Sequence, residues 1–204
     1  MNEKKPRFSF GLPVRNGERA IRRTLDSLLA QDFEDIEVVV SDNASTDSTP
    51  KICEEYAARD PRVRFQPNDR DLGQIENFNR AYRCSRGEIF RWIGCGDVVA
   101  PGYARRCVEA LDANPEVVGA TTGWRFVDEH GAEHSLPFHG ERIESTRLLR
   151  RLDRFLWFMQ NNRLLFDPMY SALRRSALEK TRMLRIHHYP DLLLAMELAL
   201  LGPY

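Results

Sequence analysis

The chain has 204 residues, of which 42% are hydrophobic and 29% charged, enough for one large domain with an ordinary core. Thirty Lys and Arg balance thirty Asp and Glu, which excludes a net field that would recruit nucleic acid or anionic lipid. The charge is uneven: residues 142–154 and 174–185 are Arg-rich, and the segments between 32 and 60 are acidic.

Along the chain, Phe8, Phe10, Leu12 and Val14 alternate with small or polar residues, which predicts a strand ending in a loop at Arg15-Asn16-Gly17. Ile21, Leu25, Leu28 and Leu29 follow helical spacing. Ile36 to Val40 is a β-branched run that predicts a buried strand, and Ser41 to Thr49 is a polar loop. A helix follows Pro50, then a strand over Val63 to Phe65, a helix marked by Ile75, Phe78 and Tyr82, and a strand over Glu88 to Ile93. Gly94-Cys95-Gly96-Asp97 is the loop after that strand. Tyr103 to Leu111 predicts a helix, and Val117 to Thr121 a fifth strand. Beyond residue 125, Asp128-Glu129-His130-Gly131 reads as a turn, Leu148 to Met159 as an amphipathic helix, Met169 to Leu173 as a strand, and Asp191 to Leu201 as a helix entered through Pro190.

Strands that alternate with helices imply right-handed crossovers and a mostly parallel sheet, with ligands bound beyond the carboxyl ends of its strands. The loops after strands one, two and four then share one edge, and they carry Asn16, Asp42 and Asp97. An Asp at a strand end accepts hydrogen bonds from a base or ribose, whereas Ser45, Thr46 and Asp47 are explained by helix capping alone. Asp97 is placed to ligate a divalent cation on a diphosphate, or is a turn residue before Pro101. Neither phosphate-loop motif, G-x-G-x-x-G or G-x-x-x-x-G-K-[ST], is present, and no G-x-S-x-G elbow occurs. Asp191 is either a complement to a helix dipole or a general base. Glu197, in an apolar helix, needs an Arg partner or a place at the site edge. His187 and His188 read as solvated loop residues.

No apolar run approaches the roughly 18–20 residues that span a bilayer, and the longest, Leu192 to Leu201, is interrupted by Glu197. Met1 to Arg7 has no apolar signal core. Cys53, Cys84, Cys95 and Cys107 show no C-x-x-C spacing, so reduced thiols and a cytoplasmic location are expected, with a peripheral position at the inner membrane face left open.

The stretches Phe10 to Glu18, Leu25 to Gln31 and Val38 to Asp47 resemble family 2 glycosyltransferases, which have the GT-A fold. The likeness continues through Asp71-Leu72-Gly73, Asn77-Phe78-Asn79, Arg86-Gly87-Glu88 and Pro101, covering residues 8–120 strongly. It implies inverting transfer of a sugar from a nucleoside-diphosphate donor to an acceptor hydroxyl. The implied fold is α/β, a Rossmann-like parallel sheet flanked by helices. Residues 1–124 would form the nucleotide-sugar-binding part, and residues 125–204 a mainly helical acceptor-side extension. By position, Pro13, Asn16, Glu18, Asp42, Asn43, Asp71, Gly73, Asn77 and Asp97 would line the donor pocket. Asp97 would also hold Mg²⁺ or Mn²⁺, and Asp191 would be the catalytic base.

Two features depart from that family. Gly94 and Gly96 stand where acidic residues are usual, which weakens metal binding. The family also commonly extends past the acceptor-side helices, so the chain reads as a truncated or minimal form, with either an incomplete acceptor site or a second copy or partner over Met159 to Tyr204 that supplies the remainder. A non-catalytic nucleotide-sugar-binding or partner-dependent module is the alternative. A nucleotidyltransferase is disfavoured because Arg15-Asn16-Gly17-Glu18 is not a Gly-rich basic loop.

Overall fold

In the computed structural model the described residues are 5–123, 125–127, 130, 132–135, 143–160 and 168–204. The first half alternates strand and helix as its periodicity predicts: β1 (Phe8–Val14), α1 (Ile21–Leu29), β2 (Ile36–Asp42), α2 (Thr49–Arg59), β3 (Val63–Pro67), α3 (Gln74–Arg83), β4 (Ile89–Trp92), α4 (Tyr103–Ala113) and β5 (Gly119–Ala120). Then follow β6 (Arg125–Val127), β7 (Glu133–Ser135), α5 (Leu148–Gln160), a 3₁₀ turn at Pro168–Tyr170, β8 (Ala172–Arg174), α6 (Arg175–Leu178) and α7 (Pro190–Leu201).

The main sheet has the order β3-β2-β1-β4-β8-β5. The first four strands are parallel, with Phe8 opposite both Ile36 and Ile89. Strands β1 and β2 are both interior strands of this sheet and are buried along their whole length, which is why β2 is apolar on successive residues from Val38 to Val40. One face packs Phe10, Leu12, Val38, Val40 and Ile93 against α1, α2 and α4. The other packs Phe90, Trp92 and Leu173 against Leu194 and Leu198 of α7.

Differences from the sequence expectation gather in the second half. The strand expected at Met169 to Leu173 begins only at Ala172, after the 3₁₀ turn, and it is antiparallel, inserted between β4 and β5. The buried side chains of Ala172 and Leu173 fill that slot. Because β8 takes that place, the expected fifth strand shortens to two residues and pairs with β8, not β4. Around the expected turn, β6 and β7 form a separate antiparallel pair with His130 in a turn between them, while Asp128, Glu129 and Gly131 lie outside the described residues.

Helix α5 packs on α7 through Phe155, Phe158, Ala195 and Ala199. Buried Arg151 donates to the carbonyls of Ser145 (2.7 Å) and of Ala199 and Leu200 at the end of α7. It thereby caps carbonyls that the helix leaves unpaired. Among the described residues no helix is long and apolar enough to cross a membrane.

Candidate functional site

The loops after β1 and β2 are joined by a lattice of short hydrogen bonds. Asn16, held at φ 53°, donates its N–H to the Ser45 hydroxyl (2.8 Å), and its side-chain carbonyl accepts the Thr46 N–H (2.8 Å). The Gly17 N–H donates to Thr49 Oγ1 (2.8 Å), and the Glu18 N–H to Asp47 (3.1 Å). Glu18 in turn accepts the Ser48 N–H (3.0 Å). Burial alone would raise the Asp47 carboxyl, but hydrogen bonds from Thr49 and from the Glu18 N–H hold it below the usual range. Asp47 therefore accepts the Thr49 N–H where α2 begins (2.9 Å), one residue before the helix N-cap Ser48, and it also ties that turn to the β1 loop.

Asp42 ends β2 and is buried, accepting both the N–H (3.1 Å) and the hydroxyl of Ser45. Since a carboxylate has about four acceptor sites, these two bonds orient the group and leave capacity for a ligand. Asn43 bridges to the third loop. Its amide donates to Asp71 (2.6 Å), and its carbonyl oxygen accepts the Leu72 N–H (2.8 Å). The Gly73 N–H (2.8 Å), then Arg15 (2.8 Å) and Asn43, hold the Asp71 carboxyl below its ordinary range. Pro13 lies opposite Ser41 in the β1–β2 pairing and is buried.

Asn77 lies below this layer. It is buried, donating to the Ser41 carbonyl (3.0 Å) and accepting the Ser41 hydroxyl (2.8 Å) and the Asn68 amide (3.1 Å). Its polar groups thus serve as a joint beneath the loops.

The loop after β4 reaches the same edge. Cys95 Sγ lies 3.8 Å from the Gly17 carbonyl, and burial, followed by the Asp97 and Asp47 carboxylates, pushes its thiol pKa up. The loop folds back on itself: the Asp97 N–H donates to the Gly94 carbonyl (3.1 Å), and the Gly94 N–H donates to the Asp97 carboxylate (3.2 Å). A Cβ on Gly94 would sit 2.7 Å from that carboxylate, so an acidic residue cannot occupy position 94 without moving Asp97. Gly96 has φ 105°, a conformation that disfavours any side chain at that position. The Gly96 N–H donates to Thr24 Oγ1 (2.8 Å), and Arg23 donates to the Gly96 carbonyl. Among the described residues no group of three or more His, Cys, Asp or Glu side chains is placed to hold a metal. One carboxylate, already accepting from its own loop, does not fit a cation held by the protein alone, since such cages take several oxygen ligands.

Asp191 lies in the first turn of α7 and is exposed; no hydrogen bond or ion pair among the described residues links it to the loops. The course of α7 sets which edge it occupies. The helix ends near the start of β5, where the Val118 N–H donates to the Pro203 carbonyl (2.8 Å). Its beginning follows residues 184–186, which face the N-terminal turn of α3 across a cleft of about 540 Å³ lined by Leu72, Gly73, Ile75, Leu184, Arg185 and Ile186. Asn79 fixes that segment, donating to the Leu184 carbonyl (2.8 Å) and accepting its N–H (3.2 Å). The start of α7 is therefore on the same side of the sheet as the loops after β1, β2 and β3. His187 and His188 are exposed beside it, and Glu197 pairs with Arg182 through the Arg182 N–H (2.7 Å) and guanidinium.

Thr24 and Arg23 were not singled out by the sequence, because their partner Gly96 is more than seventy residues away. A buried Thr on the apolar face of α1 is the one local sign of that contact.

A family model described as Glycosyl transferase family 2 matches residues 9–182. Succinoglycan biosynthesis protein ExoO of Rhizobium meliloti is 35% identical over 111 residues, which is 54% of this chain and 31% of that protein. Among solved structures, S. aureus TarS superimposes with TM-score 0.73 at 22% identity, covering 97% of this chain and 56% of that one. A mannosyltransferase, PcManGT from Pyrobaculum calidifontis in complex with GDP-Man and Mn²⁺, superimposes with TM-score 0.68 at 21% identity, covering 98% of this chain and 54% of that one. The structural likeness shows the GT-A type of fold. The chain spans about a third of the length of the first curated relatives it matches.

Proposed function

The chain belongs to glycosyl transferase family 2, and from that premise we propose that it binds a nucleoside-diphosphate sugar at the edge built by Asn16, Asp42, Asn43, Asp71 and Asp97 and transfers the sugar, with inversion, to an acceptor hydroxyl. The observation that carries this reading is the interlocked edge, where loops from three strands meet through the side chains of Asn16 and Asn43, with the Asp42 carboxylate oriented between them by Ser45. Two related structures add support: TarS has been solved in complex with UDP-GlcNAc and PcManGT with GDP-Man.

In this reading Asp42 accepts from the base, and Pro13, Asn16 and Glu18 shape the floor. Gly73 and Asp71 form the wall opposite. Asn77 keeps the floor in register from below. The acceptor enters beside α7, with residues 125–204 forming its side. Asp191 takes the hydroxyl proton as the oxygen attacks the anomeric carbon from the face opposite the diphosphate, whose bond to the sugar breaks. A Mg²⁺ or Mn²⁺ ion carried on the diphosphate would find Asp97 as the carboxylate of the β4 loop.

The test is a binding panel of UDP-, GDP- and dTDP-sugars followed by calorimetry and thermal shift. At least one donor is expected to bind with micromolar to millimolar affinity and to raise the melting temperature. No binding by any of them would sink the reading. A second reading, binding without turnover, draws on the single carboxylate of the β4 loop. Donor binding with neither hydrolysis nor transfer would favour it.

A further inference from the structure

The β4 loop carries glycine at positions 94 and 96, and a side chain at either position meets an obstacle, a neighbouring side chain at 94 and the backbone conformation at 96. Position 94 is filled by the Asp97 carboxylate, whose oxygen would lie 2.7 Å from a Cβ there, and position 96 is held at φ 105°. A donor diphosphate still brings two or more negative charges to this edge and needs a cation to meet them.

The structure places a cation at that loop. Arg23 projects from the first turn of α1 and donates to the Gly96 carbonyl. Among the described residues no carboxylate pairs with it. Of the arginines around it, Arg22 is paired with Glu55 (2.9 Å) and Arg15 with Asp71 (2.8 Å), while Arg19 is exposed and has no hydrogen bond to the β4 loop among the described residues. The Gly96 N–H is held at the same point by Thr24 (2.8 Å), so α1 grips both polar groups of one residue of the loop. A guanidinium has five donors, and one carbonyl contact leaves most of them for phosphate oxygens.

We propose that Arg23, held by the Gly96 carbonyl, supplies the positive charge that meets the donor's diphosphate, and that donor binding here does not depend on a divalent cation. This rests on the sugar-nucleotide reading above. An acidic loop must recruit a metal because its own charge repels the phosphates. A loop with one carboxylate and an adjoining unpaired guanidinium has a smaller repulsion to overcome and a fixed charge to offset it. The leaving diphosphate is then stabilised by hydrogen bonds from Arg23 as negative charge builds on it.

The test is calorimetric titration of UDP, GDP and dTDP into wild-type protein and the Arg23→Ala and Arg23→Lys variants, each with Mn²⁺ and with EDTA. Arg23 is exposed, so both variants are expected to fold, which circular dichroism verifies. For the nucleotide that binds, exchanging Mn²⁺ for EDTA is expected to change the wild-type Kd by less than about threefold. Arg23→Ala is expected to weaken binding by about tenfold or more in both conditions, and Arg23→Lys to recover part of that loss. Binding that requires Mn²⁺, or an Arg23→Ala protein that binds like wild type, would overturn the proposal and leave the donor reading standing. Absence of binding by all three nucleotides in both conditions would bring down the donor reading, and this inference with it.

Discussion

The two edges of the central sheet are both polar, yet they are built in opposite ways. At the amino-terminal edge, Glu37 is almost fully buried and spends its carboxylate on the Ser9 hydroxyl (2.6 Å), the Arg86 N–H (2.5 Å), and the Arg86 (3.2 Å) and Arg64 (3.0 Å) guanidiniums. Burial alone would raise its pKa, but these donors reverse the shift and hold the carboxyl below the ordinary range. At the carboxyl-terminal edge the carboxylates of Asp42, Asp71 and Asp97 are oriented by one to three donors each, on loops with positive φ at Asn16, Ala44, Gly73 and Gly96. A closed charge cluster in regular backbone stabilises the fold. Partly used carboxylates on loops held in uncommon conformations are what a ligand-binding edge requires.

That contrast breaks most visibly at Asp191. If it is the base, Asp191→Asn lowers transfer by about 10²- to 10⁴-fold while donor affinity and melting temperature stay close to wild type. Steady-state rates paired with calorimetry check this, and an unchanged rate would remove Asp191 from the chemistry.

Glu37→Gln should act the other way round. It removes the buried negative charge that accepts from Arg64 and Arg86, at a cost of about 2–3 kcal/mol after allowing for the partial exposure of both guanidiniums. The folded-state pKa of Glu37 is lowered, so its contribution is complete above the unfolded value of about 4.3 and is lost as pH falls through the folded value. Urea melts at neutral and acid pH are therefore expected to show a stability gap between wild type and variant that narrows on acidification. A gap that is constant with pH would contradict the paired-carboxylate account.

Gly96→Ala is a smaller perturbation. Forcing a Cβ into φ 105° costs about 1–2 kcal/mol. It is expected to loosen the contacts to Thr24 and Arg23, so donor affinity falls along with stability. If stability falls and affinity does not, the loop is a structural turn and no part of the site.

Much of this was legible in the sequence, and the reasons differ by element. Strands β1 to β4 and helices α1 to α4 announce themselves because each buries a periodic apolar face, and topology rules then bring Asn16, Asp42 and Asp97 to one edge. Strand β8 did not show its role. Three residues carry too little alternation to reveal that Ala172 and Leu173 enter the sheet antiparallel between β4 and β5. Asn77 lies in the right segment, but only coordinates reveal that it is buried under the loops. The grip of Thr24 and Arg23 on Gly96 depends on a contact between distant segments that no local pattern encodes.

The most direct test of the two-edge account is a donor titration on matched variants from each edge. Asp42→Asn keeps the side-chain shape at the carboxyl-terminal edge but removes its charge, and Glu37→Gln does the same at the other. The account predicts that Asp42→Asn weakens nucleotide-sugar binding by about tenfold or more, while Glu37→Gln binds like wild type below its lowered melting temperature. Equal affinities for wild type and Asp42→Asn, or a larger loss in Glu37→Gln, would contradict it.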